Sequence, residues 1–123
     1  MVESERLICA SNALEEGGPG VRFEVHWGGQ MMPAFAIRFR GGAYGYLNRC
    51  GHVPVELDFQ PGEFFDTSRL YLICATHGAL YDPASGACLG GRCAGRGLVR
   101  LDVTEHDGAV YLKELSKHGR RAG

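Results

Sequence analysis

At 123 residues, 45% hydrophobic and 22% charged, the chain has the size and composition of one soluble globular domain. A formal net charge of −1 gives no electrostatic footing for nucleic acid or an anionic membrane surface. No apolar run approaches the ~18 residues that a bilayer-spanning helix needs. The opening residues lack the basic-then-apolar order of a secretory leader, so a cytoplasmic location is expected. Nineteen glycines against five prolines argue against long helices, because an interior glycine costs about 1 kcal/mol relative to alanine. Five cysteines in such a chain point to metal or redox chemistry ahead of structural disulfides.

In chain order, residues 7–9 form a candidate first strand, followed by a polar stretch ending in Gly17-Gly18-Pro19-Gly20. Val21, Phe23, Val25 and Trp27 alternate with Arg22, Glu24 and His26, the period of a half-buried strand, and Gly28-Gly29 marks the turn after it. Residues 34–40 alternate again, with Phe35, Ile37 and Phe39 on one face and Arg38 and Arg40 on the other. Gly41-Gly42 leads into a hairpin partner over residues 43–47. Residues 70–73 form a further apolar run, and residues 98–103 and 109–112 suit a closing hairpin around His106-Asp107-Gly108. From residue 117 onward the tail is polar, basic and expected to fray. Short strands and glycine turns predict an all-β, antiparallel sandwich or barrel. Residues 48–57 and 75–97 do not read as strands. No internal repeat and no low-complexity linker divides the chain, so residues 1–123 are expected to form one domain.

Both irregular stretches carry a cysteine and a histidine at close spacing, Cys50-x-His52 and Cys74-x-x-His77. Each pair sits on a loop, the second just after a predicted strand, so two thiolates and two imidazoles are placed to converge. Zinc takes such a donor set tetrahedrally, but its knuckles usually group two ligands of one kind. A mixed pair on each loop suits a [2Fe–2S] cluster with two cysteines on one iron and two histidines on the other. Spacing favours the cluster and leaves zinc open.

Asn48-Arg49-Cys50-Gly51-His52 and Cys74-Ala75-Thr76-His77-Gly78 resemble the two cluster-binding boxes of the Rieske family, Cys-x-His and Cys-x-x-His-Gly. The following Ala79-Leu80-Tyr81-Asp82-Pro83-Ala84-Ser85-Gly86 is similar to that family's segment after the second box, and Gly90-Gly91-Arg92 falls where its covering loop lies. The resemblance runs from about residue 44 to 101. It implies a Rieske fold: an antiparallel β base bearing a small cluster-binding subdomain over about residues 48–97. It also implies one Rieske-type [2Fe–2S] cluster, with Cys50 and Cys74 on the buried iron and His52 and His77 on the outer one. The loop between the boxes, with Phe64 and Phe65, is longer than in many ferredoxin-type members. Its two rings are expected to pack on the base, partner specificity being the alternative.

The respiratory branch of the family joins its two loops by a disulfide, but the matching positions here look like Val55 and Thr76. Where that branch has a serine donor after Gly78, this chain has Ala79, while Tyr81 matches a tyrosine whose hydroxyl bonds a ligand sulfur. Hydrogen bonds to cluster sulfurs favour the reduced state, so the lost serine predicts a potential nearer about −150 mV than +300 mV, with Tyr81 raising it somewhat. Outer histidines that lose a proton more readily beside ferric iron predict a midpoint that varies with pH in mildly alkaline buffer.

Cys88 and Cys93 flank the covering loop and are read as partly buried thiols, a disulfide being geometrically allowed but uncommon in a cytosolic chain. Cys9 reads as a small buried hydrophobe, and His26, His106 and His118 carry no functional signal. The chain has no room for the mononuclear-iron domain of an oxygenase. The resemblance therefore implies a monomeric one-electron carrier, not a catalyst alone, docking transiently with a reductase and a terminal oxidoreductase. The alternatives are the small subunit of a reductase such as nitrite reductase and, from another class, a zinc-stabilised interaction module or redox sensor.

Overall fold

The computed structural model describes residues 3–50, 55–58, 60–76, 78–91, 93 and 95–115. The expected tail, from residue 117, lies outside them. Ten strands run in chain order: β1 (Glu3–Ala10), β2 (Val21–Trp27), β3 (Gln30–Phe39), β4 (Gly42–Leu47), β5 (Leu72–Ile73), β6 (Leu80–Tyr81), β7 (Cys88–Gly90), β8 (Arg100–Leu101), β9 (Val103–His106) and β10 (Ala109–Leu115). A single 3-10 turn at Ser11–Ala13 is the one helical element among the described residues, and none of these residues form a helix long and apolar enough to cross a membrane. The strands form three antiparallel sheets, ordered β1-β10-β9, β2-β3-β4-β8 and β5-β6-β7.

The middle sheet separates two cores, and β3 shows how. Its odd residues Phe35, Ile37 and Phe39 join a cluster with Tyr46, Phe64, Leu72, Tyr81 and both Cys50 and Cys74. Its even residues point the other way. Ala34 packs with Val25, Leu47, Leu101 and Leu112, and Ala36 with Leu14 and Val110. The alternation in residues 34–40 therefore separates two buried faces, so the polar face expected there is absent as far as Ile37. Arg38 is half-buried. Its guanidinium donates to the carbonyls of Leu14, Ser11 and Gly41, and its Nη2 meets Glu105 Oε2 at 2.7 Å.

Residues 21–27 form a strand as expected, and β4 begins one residue earlier than the sequence implied. β3 begins four residues earlier and ends at Phe39, because Arg40 and Gly41 turn through positive φ, 50° and 83°. There the Glu16 carboxylate accepts the N–H groups of Arg40 and Gly41, which hold its pKa below the usual range, Gly41 first. The run at 70–73 contracts to β5, and the run at 98–103 divides into β8 and β9. The stretch from 75 to 97, expected to be irregular, contains β6 and β7. Strands of two or three residues leave no periodic signal. Their register is set by long-range pairing, Leu72 against Tyr81 and Ile73 against Leu80.

Candidate metal centre

Two loops bring the cysteines to the apolar face of the middle sheet. The first follows β4. There Asn48 N–H donates to Pro33 O, and Cys50 N–H donates to Val55 O at 2.7 Å. Asn48, 1% exposed, fastens the base of this loop. Its Oδ1 accepts the Leu57 N–H and its Nδ2 donates to Asp58 Oδ1, both at 2.9 Å. Asp58 Oδ2 accepts the Gly62 N–H at 2.9 Å, and Arg22 Nε lies 3.4 Å from the same oxygen.

The second loop follows β5. Cys74 N–H donates to Ala79 O at 2.9 Å, and Gly78 N–H returns to Cys74 O at 2.8 Å. Gly78 turns at φ 74°. The two loops are joined directly, since Ala75 N–H donates to Leu57 O at 3.0 Å.

Cys50 and Cys74 are thiols 3% and 0% exposed within one core cluster. The hydroxyl of buried Tyr81 stands 3.3 Å from Cys50 Sγ. Tyr81 is placed by β6, and the turn after it is stiffened by Asp82, whose carboxylate accepts from the N–H and O–H of Ser85. Gly86 ends that turn at φ 80°, where an added Cβ would lie 2.8 Å from the Tyr46 ring. Tyr46 in turn donates its hydroxyl to Pro83 O at 2.6 Å, and burial pushes its phenol pKa up.

A third segment closes over the second loop. Gly91, at φ 83°, lies against Ala79 so tightly that a Cβ would stand 2.9 Å from Ala79 Cα. Ala79 is fully buried and, as expected, brings no side-chain donor. Cys88 and Cys93 on either side of Gly91 form a disulfide with Cα atoms 5.9 Å apart. This corrects the reading of two thiols: the turn after β7 brings the two residues within bridging range.

His52 and His77 lie outside the described residues, as does Arg92. Among the described residues no group of three or more metal-binding side chains is assembled. Phe64 and Phe65 pack on the base as expected, Phe64 stacked on Phe35 at 3.9 Å and Phe65 near Phe39 at 6.3 Å. Cys9 is half-buried, and desolvation pushes its thiol pKa up, which favours the protonated thiol. His106 lies 2.8 Å from both Glu5 and Asp107 and stacks on Tyr111. The Asn48–Asp58–Arg22 network has no motif. Asn48 was legible only as a neighbour of the first box.

Two buried thiols on adjoining loops above an antiparallel base make a candidate metal centre. A family model for the Rieske [2Fe-2S] domain matches residues 4–113, and the chain belongs to that family. The cofactor that goes with it is a Rieske-type [2Fe–2S] cluster, and the described residues fit its cysteine half. Two buried thiols share one core cluster there, and a hydroxyl stands within hydrogen-bond distance of one sulfur. No curated protein is significantly similar in sequence. Among solved structures, the fold is similar to the ferredoxin of carbazole 1,9a-dioxygenase from Nocardioides aromaticivorans IC177. That match has 19% identity and a TM-score of 0.67, covering 89% of this chain and 96% of that one. It is also similar to the Sphingomonas yanoikuyae B1 ferredoxin, with 21% identity, a TM-score of 0.66, and 91% and 100% covered. A third match is to a complex of oxygenase and ferredoxin of carbazole 1,9a-dioxygenase, with 18% identity and a TM-score of 0.66. It covers 88% of this chain and only 28% of the longer chain matched.

Proposed function

We propose that this chain is a one-electron carrier that holds one Rieske-type cluster through Cys50, His52, Cys74 and His77. Residues 1–123 would act as a single domain with the cluster-binding part at about 48–97. The observation that carries the reading is the pair of buried thiols on hydrogen-bonded loops, with Tyr81 Oη 3.3 Å from Cys50 Sγ, in a chain of this family. When bound, the cluster supplies reversible one-electron chemistry. The residues around it set how easily that electron is accepted.

Cys50 and Cys74 bring two negative thiolates into a core walled by Phe35, Ile37 and Leu57, where charge is poorly screened. Tyr81 donates its hydroxyl to the Cys50 sulfur and so favours the more negative, reduced state. Ala79 gives no such donation from its side chain, which keeps the potential toward the lower end of the Rieske range. Histidines on the second iron would leave the cluster less negative than four thiolates do. The electron is handed on to another protein. By analogy with the similarly folded ferredoxins, the donor is a reductase and the acceptor a terminal oxygenase, met in transient contacts, and a cytoplasmic monomer suits this role.

Electron paramagnetic resonance of the dithionite-reduced protein tests the reading. A signal with an average g value clearly below that of an all-thiolate [2Fe–2S] cluster is expected. Silence in an iron-replete sample, or a colourless protein holding zinc, would refute it.

A further inference from the structure

We propose that Asn48, Asp58 and Arg22 form a positioning unit that locks the two cysteine loops into one geometry. The inference rests on the reading of Cys50 and Cys74 as cluster ligands, and it adds residues that no sequence motif marks. Asn48 and Asp58 stand at the two ends of the first loop, and neither ligates anything itself. Together they place three hydrogen bonds across its base: Leu57 N–H to Asn48 Oδ1, Asn48 Nδ2–H to Asp58 Oδ1 and Gly62 N–H to Asp58 Oδ2, each 2.9 Å. The Leu57 peptide extends the unit to the second loop, because its carbonyl accepts the N–H of Ala75, next to Cys74, at 3.0 Å. One residue, Leu57, thus transmits the clamp from a site two residues before Cys50 to a site one residue after Cys74.

The chemistry argues for positioning over simple stabilisation. The Asp58 side chain is 0% exposed, and burying a carboxylate is costly unless its charge and lone pairs are answered. Here both oxygens are answered, and Arg22 reaches in from β2 as counter-ion while also bonding Glu56 at 2.9 Å. Well-packed apolar side chains would stabilise the same volume as well or better. What they lack is direction. A network in which every acceptor oxygen is occupied permits one arrangement of the loop ends and penalises the rest. No covalent link does this job among the described residues, since the single disulfide joins Cys88 to Cys93 within the covering segment.

The test uses iron-loaded protein reduced with dithionite and follows iron release to the ferrous chelator bathophenanthroline, alongside the electron paramagnetic resonance line shape. In Asp58→Asn an amide faces the Gly62 N–H or the Asn48 amide, and one of the three bonds must break. Release is expected to quicken about tenfold, the usual scale for losing a partner behind a metal ligand, and the lines should broaden. The double variant Asn48→Asp/Asp58→Asn restores all three bonds with their direction reversed between the two side chains. It should slow release below that of Asp58→Asn and narrow the lines again, short of the original because the buried charge has moved away from Arg22. Arg22→Gln, milder because it leaves the Asn48 bonds in place, should quicken release several-fold. Arg38→Met, which weakens the opposite side of the fold, should release iron at the unmodified rate.

Release at the unmodified rate from both Asp58→Asn and Arg22→Gln overturns the proposal. So does a double variant no slower than Asp58→Asn, or an Arg38→Met variant that loses iron as fast as the clamp variants. An unmodified protein without a mixed-ligand signal defeats the electron-carrier reading and the clamp with it. A normal signal with unmoved clamp variants defeats the clamp alone.

Discussion

From β2 to β4, strands of six to ten residues pair along their length, Val21 against Ala36 through to Trp27 against Gln30, and Ala34 against Leu47 through to Phe39 against Gly42. Between residues 72 and 90 the strands are two or three residues long, and most of the order comes from turns. Phe64 and Leu72 anchor that upper region to the base, but its tip rests on single hydrogen bonds such as Cys50 N–H to Val55 O and Gly78 N–H to Cys74 O. The base is stabilised redundantly, so losing one contact leaves many. The loop region is stabilised serially, with each bond positioning the next, and the Asn48–Asp58 network and the Cys88–Cys93 bridge sit where that chain is thinnest.

The sharpest way to break this contrast is Cys74→Ser. Without its ligand the loop region should loosen, and amides such as Ala75 and Gly78 should lose protection from hydrogen exchange on the order of a hundredfold or more. Those of Phe35 and Tyr46 should stay protected. Uniform loss across both regions would show that they unfold as one unit.

Arg38→Met acts on the base alone. It removes one donor from Glu105 and from each of three carbonyls, and denaturant titration should read a loss of about 2–4 kcal/mol with the spectrum of the centre unaltered. Arg38 holds the Glu105 carboxyl below the usual carboxylate range through its hydrogen bond. A group with a lowered folded pKa stabilises the fold at neutral pH, and that contribution fades as pH falls through the lowered value. The Arg38 variant should therefore lose part of its acid sensitivity.

Removing the bridge with Cys88→Ser/Cys93→Ser closes one short loop fewer and should cost about 2 kcal/mol by chain entropy. The loss should be confined to the loop region in exchange experiments, and loss of protection in β2 or β3 would contradict the division. Tyr81→Phe should change stability little but lower the midpoint potential. One hydrogen bond worth about 1 kcal/mol more in the reduced state corresponds to about 40 mV for one electron. An unchanged midpoint in protein-film voltammetry would remove Tyr81 from the tuning of the centre.

The smallest effect belongs to the base edge, where hydrogen bonds to Asp107 and then to Glu5 raise the pKa of His106. Stabilisation from a raised pKa is complete below the unfolded value of about 6.5 and is lost as pH rises through the folded one. An NMR titration should show His106 titrating above an ordinary histidine, and Glu5→Gln should bring it down. A His106 midpoint unmoved by that change would mean the pair contributes nothing.

The sequence revealed the base well because amphipathic alternation is a local signal: the extent of β2 and the inward run of Phe35, Ile37 and Phe39 follow from residue order alone. It understated β3, since the missed start, residues 30–33, is exposed or half-buried and shows no apolar alternation. It missed β6 and β7, whose register comes from pairing with distant residues. At the site, the cysteine boxes and Tyr81 were legible as motif. Asn48, Asp58 and Arg22 were not, because an asparagine, an aspartate and an arginine become a network only once the chain has folded them together.

The division of β3 into small even residues and large odd ones has a consequence for how this protein can change. Ala34 and Ala36 belong to one core, Phe35, Ile37 and Phe39 to the other. Position parity along one strand therefore says which core a substitution will disturb. A slip of one residue would instead exchange the two sets, driving aromatic rings into the alanine-lined side and opening voids beneath both cysteines. Each core is free to drift in sequence on its own, provided that the pairing between β3 and its neighbours never shifts.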